Sequence, residues 1–237
     1  MNVLKSRLFA LLLLLNSPWV GAVEFWSLGA LFETQKVPDF EAIQDSGARK
    51  AAFFNYLAPK INQQNNKILQ LRRAIRNQQL DADALEKLYR YYRVNLGNQV
   101  GLLNKLDIVP TSLVLAQAAY ESNWGRSRFA KRYHNFFGLW CFTKGCGVVP
   151  KRRDVGATHE VAKFASVDKG IAYYLRSINR NRAYQTLRAI RKHKRENRLP
   201  ISGIALAEGL VDYAAIGYDY VETVQQIIRY NQLERYD

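Results

Sequence analysis

Ser112-Leu113-Val114-Leu115-Ala116-Gln117-Ala118-Ala119-Tyr120-Glu121, with Pro110 ahead of it and Ser122-Asn123-Trp124-Gly125 behind, is the stretch on which the fold turns. A run without glycine, entered just after a proline, reads as a helix. Val114, Ala118 and Glu121 stand at i, i+4 and i+7, so the glutamate is the last member of an otherwise apolar face. A carboxylate there loses part of its water, and desolvation disfavours the charged form, so its pKa rises. The negative end of the helix dipole pushes the same way. Such a carboxyl keeps a proton near neutral pH and is able to donate it. Taken alone, a glutamate near a helix end is ordinarily solvated or salt-bridged, so its chemistry depends on its surroundings.

Outward from this helix the pattern is mostly helical. Residues 25–45 are irregular, broken by Pro38 and Asp39, and read as an entry linker. Ser46 to Asn77 carries Ile61, Ile68, Leu71 and Ile75 near helical period, with Pro59 marking a boundary or kink. Asp83 and Glu86 have the spacing of a capping box, and Leu85, Leu88, Tyr89 and Tyr92 follow as an apolar stripe. Val148-Val149 and Thr158 to Phe164 are β-like, with Asp154-Val155-Gly156 between them, which predicts a short hairpin. Helical stripes return at Ile171, Tyr174, Leu175 and Ile178, at Leu187 and Ile190, and in a last block through Ile227 and Ile228. The expected architecture is therefore mainly α, with a short β-hairpin: a helical annex over 23–105 and a domain over 106–237.

Lys5 and Arg7 precede the apolar run Leu8 to Leu15, and Val20-Gly21-Ala22 offers a cleavage site, so residues 1–22 read as a secretory signal or, if retained, an anchor. The expected location is the periplasm or cell envelope. The formal net charge is +15, which draws polyanions; after export these are peptidoglycan and anionic envelope surfaces rather than nucleic acid, for which no binding motif is present. Cys141 and Cys146 are the only cysteines, and export makes a small-loop disulfide the leading reading. His134, His159 and His193 are scattered without ligand spacing, so neither a metal nor another cofactor is expected.

The pattern Ala116-Gln117-Ala118-x-x-Glu121-Ser122-x-Trp124-Gly125-x-Ser127, followed by Asn135-x-Phe137-Gly138, closely resembles the glucosaminidase domain of glycoside hydrolase family 73. That resemblance implies a lysozyme-like helical fold, cleavage of bacterial wall glycan, and Glu121 as catalytic acid. It also points to Glu160, in Thr158-His159-Glu160, as a second carboxylate and to Tyr184 as a tyrosine reaching the active site. Asp154 and Asp168 are alternatives for the second role, although each has a sufficient explanation at a turn or helix start. An acetamido group on the substrate is a further candidate nucleophile. Trp124, Asn135 and Phe137 fit the aromatic and amide contacts that sugars use. The Cys141 to Cys146 loop departs from the family pattern and is expected to stiffen one rim of the groove. A lytic transglycosylase and a non-catalytic wall-binding protein are the rival readings; Gly138-Leu139-Trp140-Cys141 differs from the Gly-Leu-Met-Gln type segment common in the former.

Overall fold

The computed structural model describes residues 36–150, 153, 156–211 and 217–237. The signal segment 1–22, the first part of the entry linker, and Asp154 and Val155 lie outside the described residues. Among the described residues no helix is long and apolar enough to cross a membrane.

The long helix α1 (Ser46–Arg76) is followed by α2 (Ala82–Tyr92), α3 (Gln99–Lys105), α4 (Thr111–Ser122) and the short α5 (Arg128–Tyr133). A small sheet of β1 (Trp140–Cys141), β2 (Gly147–Val148) and β3 (Glu160–Ala162) comes next. The chain ends through α6 (Val167–Arg180), α7 (Gln185–Glu196), α8 (Gly203–Ala207) and α9 (Tyr218–Tyr230). The mainly helical expectation holds.

Helix α4 is the centre of the molecule. Leu113, Val114, Leu115, Ala116, Ala118 and Ala119 are all fully buried, so it is enclosed on every side rather than along one stripe. It packs against α1, α8 and α9. Its start has no side-chain cap of its own, because Pro110 occupies the N-cap. Asp237 supplies one instead, accepting from Ser112 N at 2.8 Å and Ser112 Oγ at 2.7 Å. At its other end Asn123, Trp124 and Gly125 take successive positive φ values of 50°, 57° and 77°. This stops the helix sharply after Ser122, whose Oγ accepts from Gly125 N at 2.8 Å. A Cβ at Gly125 would lie 2.3 Å from the Phe40 ring, so only glycine fits there.

Two expectations need correction, and a third gains a strand. Pro59 neither breaks nor bounds α1, which runs through it; the carbonyl left without a proline N–H partner belongs to the exposed Asn55, where water can satisfy it. The cap of α2 is Asp81, which accepts from Ala84 N at 2.6 Å, rather than Asp83. The expected hairpin is present as β2 and β3, two strands of a three-stranded antiparallel sheet in the order β1-β3-β2, with Cys141 opposite Glu160 and Val148 opposite Val161. Strand β1 has only two residues, too few for alternation to reveal it.

The division near residue 105 is bridged physically by α1. Its Phe53, Phe54, Leu57, Ala58 and Ile61 enter the main core, while Ile75 joins a smaller core with Leu88, Tyr89, Tyr92, Leu102 and Leu106. Asn65 of α1 clasps Val109 through both backbone groups, at 2.8 and 3.3 Å, just before α4 begins.

Candidate active site

Glu121 is the penultimate residue of α4, and the abrupt turn after Ser122 fixes its carboxyl at the end of a rigid rod. It is half-buried. Burial pushes its pKa above the ordinary carboxylate value, and a hydrogen bond from Tyr220 pulls it part of the way back. Tyr220 Oη donates to Glu121 Oε1 at 2.9 Å. Gln117 Nε2 donates to the same hydroxyl at 2.9 Å, and Tyr174 Oη donates to Gln117 Oε1. Tyr174, Gln117 and Tyr220 are essentially fully buried, so this chain of donors reaches Glu121 from the protein interior.

The other Glu121 oxygen faces the loop after α5. Gly138 adopts φ 63°, and a Cβ there would come within 3.3 Å of Glu121 Oε2, so a bare backbone lets the loop lie against the carboxyl. Asn135 shapes that loop: Nδ2 donates to Leu139 O and Ala162 O at 2.9 Å, and Oδ1 accepts from Phe137 N at 3.3 Å and Leu139 N at 3.0 Å.

This changes the parts assigned to the expected sugar-binding residues. Asn135 is 1% exposed and its amide is fully used by backbone groups, so it builds the loop instead of touching a strand. Phe137 is 2% exposed and stacks on Tyr174 with centroids 4.2 Å apart. Trp124 packs edge-on to Phe53 and Phe54, at 5.8 and 5.6 Å, beneath Lys50 Nζ at 5.0 Å from its ring. That packing holds a non-glycine residue at positive φ, a conformation that needs over-determined surroundings. Tyr184 is half-buried, and burial together with the Glu121 charge pushes its hydroxyl up to about 12, which puts it in the electrostatic reach of the acid.

Glu160 sits on the sheet with both oxygens engaged: Oε1 accepts from Gly145 N at 2.9 Å and Oε2 from Gly147 N at 2.7 Å. These backbone donors hold its carboxyl below the ordinary value. Asp168, the alternative at the start of α6, pairs with Lys60 at 3.3 Å. Cys141 and Cys146 form the expected disulfide. Their sulfurs and Glu160 lie within 4.8 Å of one another, but sulfurs bonded to each other are not thiolate ligands. The basic hollow lined by Ile108, Lys194, Arg195, Arg198, Leu199 and Ile201 shares no residue with this site.

Tyr220, Gln117 and Tyr174 are the residues of the candidate site to which sequence reasoning gave no part in it. Gln117 carried a readable signal, a polar side chain one turn before Glu121 in an apolar helix. Because the Tyr220 hydroxyl favours the charged carboxylate, Tyr220→Phe is expected to raise the Glu121 pKa further. A general acid is active while protonated, so the alkaline limb of the kcat/KM profile should move to higher pH. A limb that stays put or moves down would remove Tyr220 from this role.

Residues 100–233 match the family model of glucosaminidase, described as mannosyl-glycoprotein endo-beta-N-acetylglucosaminidase. The chain is 27% identical over 201 residues to the protein bax of Escherichia coli, a stretch that covers 79% of this chain and 72% of that one. Among solved structures, the catalytic domain of the autolysin Auto from Listeria monocytogenes is similar with a TM-score of 0.47 at 18% identity, over 91% of this chain and 96% of that one.

Proposed function

Because the chain belongs to the glucosaminidase family, we propose that it is a glycoside hydrolase that cuts peptidoglycan glycan strands at N-acetylglucosaminyl bonds. Glu121 is its general acid. The observation that carries this reading is a half-buried carboxyl, raised in pKa by desolvation, at a helix end lined by the bare backbone of Gly138.

A glycosidic oxygen leaves poorly until it is protonated, and the sugar then develops oxocarbenium character that needs negative charge nearby. Two carboxyls whose environments drive their pKa values apart are suited to these two roles. Glu121 is pushed up by burial, and Glu160 is held down by two backbone donors. Glu121 therefore gives the proton, and Glu160 is the candidate anion. Tyr184, within reach of the Glu121 charge, is assigned to the same cleft.

We place the enzyme in the cell envelope, on the strength of the Lys5, Arg7 and Leu8 to Leu15 pattern and of a disulfide suited to an oxidising compartment. The exposed cations leave anionic envelope surfaces as an additional contact.

Mass analysis of the fragments released from purified peptidoglycan tests the reaction class. Products ending in a reducing N-acetylglucosamine are expected. Products ending in anhydromuramic acid would replace this reading with a lytic transglycosylase, and an absence of fragments would leave a wall-binding protein.

A further inference from the structure

The sheet beside Glu121 carries an exposed aromatic surface that the proton-transfer chemistry does not use. Trp140 is 53% exposed, and its ring lies flat on His159, with centroids 3.9 Å apart and planes 14° from parallel. Phe142, two residues on, is 72% exposed. Isolated surface aromatics are ordinary, but this one is mounted on a braced frame.

Every neighbour of Trp140 restricts it. Leu139, before it, is held through both backbone groups by Asn135, at 3.0 and 2.9 Å. Cys141, after it, is covalently tied to Cys146. The loop so closed is gripped a second time by Glu160, which lies opposite Cys141 and accepts from Gly145 and Gly147. Tyr173 Oη reaches the Trp140 carbonyl at 3.4 Å. A ring fixed in this way loses little conformational freedom when a ligand covers it.

Its position is continuous with the acid. Gly138 lies against Glu121 Oε2, and the Trp140 Cα is at most about 7 Å along the chain from the Gly138 Cα. That is the distance scale of a neighbouring ring on a polysaccharide held at Glu121. With imidazole stacked against it, the indole is a flat platform, suited to the apolar face of a pyranose. A lipid bilayer would instead be met by side chains that project and insert.

Resting on the glycosidase reading, we propose that Trp140, seated on His159 and locked by the Cys141–Cys146 loop and Glu160, is a stacking subsite for an N-acetylhexosamine unit flanking the cleaved bond. Glu160 thereby acts as a positioning residue for the subsite, whatever its part at the reacting sugar.

The test uses the full chain carrying Glu121→Gln, so that bound oligosaccharide is not turned over, and N-acetylglucosamine hexamer as the probe. Trp140→Ala is expected to weaken hexamer binding about five- to tenfold, the range of one aromatic contact. Trp140→Phe should restore most of the loss. In the catalytically intact chain, Trp140→Ala should raise KM by more than it lowers kcat. Because Trp140 is exposed, all variants should melt within a few degrees of the parent. Unchanged hexamer affinity in Trp140→Ala, while the intact chain still cleaves peptidoglycan, overturns the subsite and leaves the glycosidase reading standing. Failure of the intact chain both to bind hexamer and to cleave peptidoglycan overturns both. Loss of sedimentation with anionic phospholipid vesicles at undiminished saccharide affinity would reassign the ring to a membrane surface and overturn the subsite.

Discussion

Glu121→Gln is expected to lower the rate of peptidoglycan cleavage by about a hundredfold to ten-thousandfold, the usual worth of a positioned general acid. The substitution keeps the size of the side chain and an acceptor for the Tyr220 hydroxyl, so the donor chain from Tyr174 through Gln117 stays in place. What disappears is the transferable proton. The variant should fold and bind saccharide like its parent, and it should show the loss in kcat. The pH profile of the parent supplies the matching sign: burial raises the Glu121 pKa, so the acid form persists above the ordinary carboxylate range. Activity falls as pH rises through that value. Release of reducing ends from purified peptidoglycan measures the effect, and equal rates from the two proteins would remove Glu121 from the chemistry.

Asp107→Ala is expected to destabilise the fold by about 3–5 kcal/mol, the cost of removing one member of a buried charge pair. Asp107 is 2% exposed at the junction of α1, α3 and α7. Arg195 grips its carboxylate with two hydrogen bonds of 2.8 Å, and Arg72 Nε lies 3.4 Å away. Arg191, 1% exposed, bonds the Asp107 carbonyl at 3.2 Å and carbonyls at the end of α3. Burial lowers Arg72 and Arg191 to about 10, which leaves both charged at neutral pH. Without Asp107 these cations face one another inside the protein. Burial of Asp107 alone would raise its pKa, but the Arg195 hydrogen bond and the charges of Arg191 and Arg72 outweigh it and hold the value low. The stabilisation is therefore present above the ordinary carboxylate range and is lost as pH falls through the depressed value. Urea unfolding at neutral pH measures the change, and a thermal melt is expected to show a fall in melting temperature of about 10 °C. A loss under about 1 kcal/mol would show that the arginines are satisfied by backbone carbonyls alone.

The helices were legible because apolar periodicity is a local property. The stripe at Ile171, Tyr174, Leu175 and Ile178 became the buried face of α6, and the run from Ser112 became α4. The place of Glu121 at the end of an apolar helix was legible for the same reason, whereas its part as the acid rested on the motif around it, Ala116-Gln117-Ala118-x-x-Glu121-Ser122-x-Trp124-Gly125, and the family that motif resembles. The disulfide could be read from two cysteines five positions apart and the expectation of export. Strand β1 could not, because its two residues acquire their identity only from pairing with β3.

By itself, then, the sequence determined the order of the longer helices, the candidate acid through its motif, and the cysteine loop, since each is written within a short stretch of residues. Tertiary structure alone decided that Tyr220, some hundred positions away, holds the Glu121 carboxyl, and that Asn135 and Phe137 lie beneath the surface. It also decided that Asp107 gathers cations from two helices, α1 and α7. Those outcomes depend on which faces meet when the chain closes, and hydrogen bonds between distant residues leave no periodic mark in the order of amino acids.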